Sequence, residues 1–162
     1  MLLFLLRHGD AIQNPSLNDS ARPLSEAGRR QAETVGSFLH SSTIEFDKIV
    51  SSPLLRAIET AEVVGHRLHG PKPEPTEYLV PGTRKRPLLD FINSAQVKSL
   101  LLVGHEPHLS ETVSLLLSER ETLGFEFRKC SLGCLVASEP VREGHAVLRF
   151  LLTVDQMELL HH

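Results

Sequence analysis

The chain has 162 residues, 41% of them hydrophobic and 23% charged, which suits one soluble globular domain with a full core. Its formal net charge of -3, the absence of Trp and the single Tyr argue against a polyanion-binding surface, a base-stacking platform or a basic membrane face. Two cysteines, Cys130 and Cys134, fit a reducing compartment better than a disulfide framework. Residues 2 to 6, the apolar run "LLFLL", predict a strand buried on both faces. The run is too short for a membrane span or a signal-peptide core and ends at Arg7 with no cleavage pattern, so a cytoplasmic location is expected. A polar loop follows, punctuated by Asn14, Pro15, Asn18, Asp19 and Pro23. Ser25 is the expected N-cap of a helix of about four turns whose apolar face is Gly28, Ala32, Val35 and Leu39. "DKIVSS" predicts a second strand, and a helix is expected to start directly after it, with Ser52 as N-cap and Pro53 at its first position. A Pro-rich connection from Pro71 to Pro81 carries at most a short strand. Pro87 to Ala95 predicts a helix. "SLLLVGH" predicts another buried strand, with a helix from about Pro107. Leu132–Ala137 and Ala146–Leu152 are the last strand candidates. The alternation predicts an α/β fold with helices on both faces of the sheet.

In such folds ligands bind beyond the carboxyl ends of the strands. Three distant segments place polar groups there: Arg7-His8 after the first strand, Arg56 in the first turn of the helix after "IVSS", and His105 after "LLLVG". If those strands are parallel neighbours, two guanidinium groups, two imidazoles and the amides of a helix N-terminus converge. That set matches a tetrahedral phosphoryl dianion. Arginine pairs with its oxygens bidentately. A histidine crowded by cations stays neutral and can act as a nucleophile if its other nitrogen donates to a fixed acceptor. Gly9 is expected to leave room for that acceptor or for the phosphate. The second imidazole can stabilise charge on the phosphoryl oxygens. The chemistry expected of such a set is phosphoryl transfer through a covalent phosphohistidine, then attack by water. Spacing alone leaves open which of His8 and His105 attacks.

"LLRHGDA", "RPLSEAGRRQA", "SSPLLRAIETA" and "LLLVGHEPHLS" resemble, in order, the signature segments of the histidine phosphatase superfamily. The superfamily also includes the cofactor-dependent phosphoglycerate mutases. The short chain and its Arg-His-Gly-Asp-Ala start are most similar to the SixA-type phosphohistidine phosphatases. The resemblance covers residues 2 to about 117. It implies one domain over residues 1–160 and a three-layer α/β/α fold with a mostly parallel central sheet. It also implies His8 as nucleophile, Arg7 and Arg56 as phosphate clamps with Gly9 beside them, and His105 as the second imidazole. No metal or cofactor is implied. The partner is a phosphorylated protein of the histidine-containing phosphotransfer type or a small phosphorylated metabolite.

Other members of the superfamily add a carboxylic acid that protonates an alkoxide leaving group. The corresponding segment here, "EPTEYLVPG", contains Glu74 and Glu77, but the aligned position falls nearer Pro81-Gly82; Asp10 is the other candidate. The want of a clear acid favours a P–N bond, because imidazole leaves as a neutral base. A small-molecule phosphomonoesterase and a non-catalytic phosphate-binding module are the alternatives. Rival chemistries lack their marks: no Cys is followed by five residues and an Arg, and there is no Walker loop, Asp-x-Asp pair or serine elbow. "HEPH" (His105 to His108) lacks the spacing of a zinc helix. His66 and His69 are expected on the surface, Arg84–Arg86 in a solvated turn, and Asn14 and Ser16 in a loop turn.

Overall fold

A computed structural model describes residues 1–119 and 122–160; His161 and His162, given no weight as possible tag residues, lie outside the described residues. In chain order the elements are β1 (Leu2–Arg7), α1 (Glu26–Ser41), β2 (Lys48–Ser51), α2 (Leu55–Leu68), β3 (Glu74–Pro75), α3 (Lys85–Ser94), β4 (Ser99–Gly104), α4 (His108–Ser118), β5 (Leu132–Ala137), β6 (Ala146–Leu152) and α5 (Val154–Leu160). The strands form one six-stranded sheet in the order β3-β2-β4-β1-β5-β6. β3, β2, β4 and β1 are parallel, and β5 runs against both β1 and β6.

Strand alternation sorts the apolar side chains into two cores. Leu3 and Leu5 of β1, with Leu100 and Leu102 of β4, pack under Leu88 and Ile92 of α3 and Leu109, Val113 and Leu116 of α4. Phe4, Leu6, Leu101 and Val103 face the other way, onto Ala32, Val35 and Leu39 of α1, Ala57, Ala61 and Val64 of α2, and Met157 of α5. A strand covered on both sides must be apolar throughout, which is why β1 and β4 read as unbroken runs. Each fully buried leucine contributes about 1.5–3 kcal/mol.

Ser25 caps α1 as expected: its hydroxyl accepts the Gly28 N–H at 3.0 Å. Ser52 does not cap α2. Its own N–H still donates to Val103 O at 2.9 Å, so it extends the sheet ladder, and the chain needs Pro53 and Leu54 to turn before the helix starts at Leu55. Helix α5 was not foreseen, although Thr153 and Gln156 form a capping box: the Gln156 side-chain oxygen accepts the Thr153 N–H at 2.9 Å, and the Thr153 hydroxyl accepts the Gln156 N–H at 3.4 Å. Asn14 and Ser16 build a turn, with the Ser16 N–H donating to Asn14 Oδ1 at 2.9 Å. Lys85 and Arg86 belong to the first turn of α3 rather than to a loop. Among the described residues no helix is long and apolar enough to cross a membrane.

Candidate active site

The register of β1 on β4 creates the site. Arg7 lies opposite Gly104, so His8 and His105 leave neighbouring parallel strands at the same level. Their ring centroids are 4.8 Å apart. Ser51 of β2 lies opposite Val103, which brings the start of α2, and with it Arg56, to the same edge. All three side chains are almost wholly buried: His8 is 4% exposed, Arg56 5% and His105 2%.

The tautomer of His8 follows from its hydrogen bonds. Nδ1 lies 2.7 Å from Gly9 O, an atom that can only accept, so Nδ1 carries the proton. Nε2 is then the bare nitrogen, and Arg56 Nε–H donates to it at 3.3 Å. The Gly9 peptide is held in turn by its own N–H, which donates to the Thr60 hydroxyl at 3.1 Å, while that hydroxyl donates to Arg56 O at 2.6 Å. One turn of α2 therefore supplies both the guanidinium at His8 Nε2 and the hydroxyl that holds the residue accepting the Nδ1 proton. Gly9 is required by packing: a Cβ there would lie 2.6 Å from Gly28 O, and one at Gly28 would lie 2.0 Å from Asp10 O. Backbone contact with α1 is thus a packing reason for glycine at position 9.

Arg56 is fixed from the other side by the loop before α1. Its Nη1 donates to Asp19 O at 2.7 Å and its Nη2 to Asp19 Oδ2 at 3.0 Å. Arg22 also pairs with Asp19, at 2.6 Å, and this bond is the main reason the Asp19 carboxyl sits below its ordinary pKa. Arg7 reaches across to the residues before β5, Nη1 donating to Phe127 O at 2.6 Å. Both ring nitrogens of His105 and Nε of Arg7 are buried with no hydrogen-bond partner among the described residues. Buried polar groups left unpaired cost about 1–3 kcal/mol each, so the pocket is built for a polar occupant.

Burial pulls the His8 pKa down to about 2, helped by the charges of Lys129, His105 and Arg56 and opposed by the bond to Gly9. Burial likewise lowers His105 to about 3, with Arg56 the next cause and Asp19 acting against it. Between these values and the 6.5 of a free imidazole, the unfolded chain binds two protons that the native site refuses. Stability should therefore fall as pH drops below about 6.5, by up to about 1.4 kcal/mol per pH unit for each histidine. Urea unfolding at pH 7, 6 and 5 measures this, and His105→Asn should flatten the slope. Equal stability at pH 7 and pH 5 would show that these rings are not held neutral.

The carboxylates named as candidate acids have the following contacts. Asp10 accepts the Ser25 hydroxyl at 2.7 Å, within the cap of α1. Glu77 is exposed in the 3-10 turn Glu77–Leu79, and Glu74 pairs with Lys48 at 2.8 Å. His108 turns away from His105: it is fully buried, with Nε2 3.2 Å from the Thr83 hydroxyl. His66 and His69 are exposed, and among the described residues no group of three or more His, Cys, Asp or Glu could hold a metal. The buried thiols of Cys130 and Cys134 are pushed up, to about 12 and about 11, mainly by burial. Sequence reasoning missed Asp19, Thr60, Glu106 and Lys129. The Asp19/Arg22 spacing was a faint signal, and the others left none.

The sheet, the strand-end histidines and the guanidinium groups are those of a histidine phosphatase with a phosphoglycerate mutase-like fold. The model of the histidine phosphatase superfamily (branch 1) matches residues 3–79. The chain is 32% identical over 121 residues to the phosphohistidine phosphatase SixA of Escherichia coli (strain K12), covering 72% of this chain and 74% of that protein. It is 32% identical over 136 residues to the SixA homolog of Haemophilus influenzae, covering 77% and 82%. The structure of the protein histidine phosphatase SixA complexed with tungstate superposes with a TM-score of 0.85 at 25% identity, over 96% of this chain and 98% of that one. The chain belongs to the histidine phosphatase superfamily and is similar to the SixA phosphohistidine phosphatases within it.

Proposed function

We propose that this protein is a metal-independent phosphohistidine phosphatase that acts on a phosphorylated signalling or phosphotransfer protein through a phosphohistidine on His8. The observation that carries the reading is the bare, buried Nε2 of His8 between Arg56 and His105. In the first step the Nε2 lone pair forms a bond to phosphorus, and the P–N bond of the substrate breaks. The electron pair stays on the departing imidazole, which leaves neutral because its other nitrogen keeps a proton. Arg7 and Arg56 hold the non-bridging oxygens, and His105 donates to one of them as charge builds. Bound dianion raises the proton affinity of His105, reversing the effect of burial.

In the second step water attacks phosphorus, the bond to His8 breaks, and inorganic phosphate takes the proton of the water. The Gly9 carbonyl matters twice. By keeping the proton on Nδ1 it bares Nε2 for attack, and in the phosphoenzyme it keeps that same proton in place, so His8 departs as a neutral imidazole. No carboxylic acid is needed in either step. The carboxylate that reaches the site, Asp19, is ionised beside Arg22 and Arg56 and is a poor donor to an alkoxide. The SixA relatives carry the phosphohistidine activity in their names, in support of this substrate over a phosphate monoester.

The test is a comparison of kcat/KM for a phosphorylated histidine-containing transfer domain, a panel of sugar phosphates, and p-nitrophenyl phosphate. The phosphoprotein should be preferred over any sugar phosphate by about 100-fold or more, since an unassisted alkoxide forfeits the general-acid contribution. Preference for a sugar phosphate would establish the small-molecule phosphomonoesterase instead. No turnover of any substrate would leave only a phosphate-binding module.

A further inference from the structure

Because β5 runs against β1, the residues that lead into β5 arrive at the edge where the parallel strands end. Hydrogen bonds fasten this approach to the site. Arg7 Nη1 donates to Phe127 O at 2.6 Å, the Arg7 N–H to Ser131 O at 3.2 Å, and the Cys130 N–H to His8 O at 3.4 Å. From the other side Glu106, the neighbour of His105, accepts the Phe127 N–H at 2.7 Å. The Phe127 ring is fully buried, packed so closely over Gly133 that a Cβ there would lie 2.9 Å from it. Residues 127 to 131 are thus a strap tied to both catalytic strands. A tight turn at its centre, with the Ser131 N–H donating to Arg128 O at 2.9 Å and Cys130 at φ 53°, presents Lys129.

Lys129 is partly buried, and among the described residues no carboxylate forms an ion pair with it. Its charged neighbours are mostly cations: Arg7, Arg56 and Arg22, with Asp10 the offsetting carboxylate, itself occupied by Ser25. Burial, then the charge of Arg7, holds its ammonium pKa below the ordinary value, and Lys129 is the largest single charge acting on His8. A third side-chain cation within the influence of two guanidinium groups is unfavourable until an anion arrives among them.

We propose that Lys129 is a further phosphoryl-binding residue, its ammonium taking a non-bridging oxygen of the transferred group beside Arg7 and Arg56. This rests on the reading of the site as one that takes a phosphoryl group, but not on the substrate that delivers it. A lysine at this point adds a mobile charge where the two arginines are fixed by Phe127 and Asp19, so it can follow the phosphorus as it moves from donor to His8.

The test compares wild type, Lys129→Met and Lys129→Arg by titration calorimetry with inorganic phosphate, and by steady-state hydrolysis of p-nitrophenyl phosphate. Loss of one charge-assisted bond should weaken phosphate binding about tenfold or more in Lys129→Met. In the same variant kcat should fall further than KM rises, and Lys129→Arg should restore most of both. Thermal unfolding of each variant shows that the fold is kept, and Lys129→Gln replaces Lys129→Met should the latter unfold. Phosphate affinity within twofold of wild type in the Met or Gln variant, or no recovery with Arg, overturns the proposal. Wild type that binds phosphate through Lys129 yet ignores phosphohistidine protein would sink the substrate assignment alone.

Discussion

Replacing His8 with alanine is expected to lower turnover by on the order of 10⁴-fold or more, the scale of losing a covalent nucleophile. No neighbour can take its place. His105 has its ring 4.8 Å away, but among the described residues neither of its nitrogens has a partner to fix a tautomer, whereas His8 is set by Gly9 on one nitrogen and faced by Arg56 on the other. The fold should survive, because the change removes a buried polar ring and leaves Gly9 O without its donor and Arg56 Nε–H without its acceptor, at a cost of about 1–3 kcal/mol each. Circular dichroism and thermal unfolding check this. Chemical quenching during turnover of radiolabelled substrate should trap label on wild type, labile in acid and stable in base, and none on His8→Ala. Activity within tenfold of wild type would move the covalent step to another group.

Arg56→Ala should cost about 10²–10³-fold in kcat, the usual range for a preorganised donor to transition-state charge. Its guanidinium bridges the nucleophile and the loop that precedes α1, so two explanations for a loss are possible: a missing charge or a loosened loop. Asp19→Asn separates them. It keeps the Arg56 bond to the Asp19 backbone carbonyl and weakens only the carboxylate's contacts with Arg56 and Arg22. If the guanidinium acts on the phosphoryl group, Asp19→Asn should stay within about tenfold of wild type. Equal losses in the two variants would make Arg56 a strut for the loop.

The site was legible where an unbroken apolar run stops at a polar residue. His8, His105 and Arg56 follow strands whose hydrophobic stretches mark their own ends. What those runs cannot reveal is adjacency: β4 lies between β1 and β2, and only the pairing of Arg7 with Gly104 sets the two rings side by side. The family resemblance supplied the choice of His8 over His105, not that adjacency. Lys129, and the Phe127 amide that Glu106 accepts, were invisible because their placement depends on β5 being antiparallel, which no local pattern encodes. Ser52 was misread because a serine before a proline looks the same whether its amide is free or still paired to β4. The local mark of α5 in the sequence is the capping pair Thr153 and Gln156.

The contact between Gly9 and Gly28 bears on how this molecule could be redesigned. Gly124 meets nothing within 4 Å of a hypothetical side chain, so it is open to replacement. Gly28, on a helix whose outer face invites surface engineering, admits no other amino acid, because even a methyl group would wedge α1 away from the catalytic loop. A randomised library over α1 would thus lose activity at a position that never meets phosphate, and a solubility campaign that spared only the histidines and arginines would fail there first.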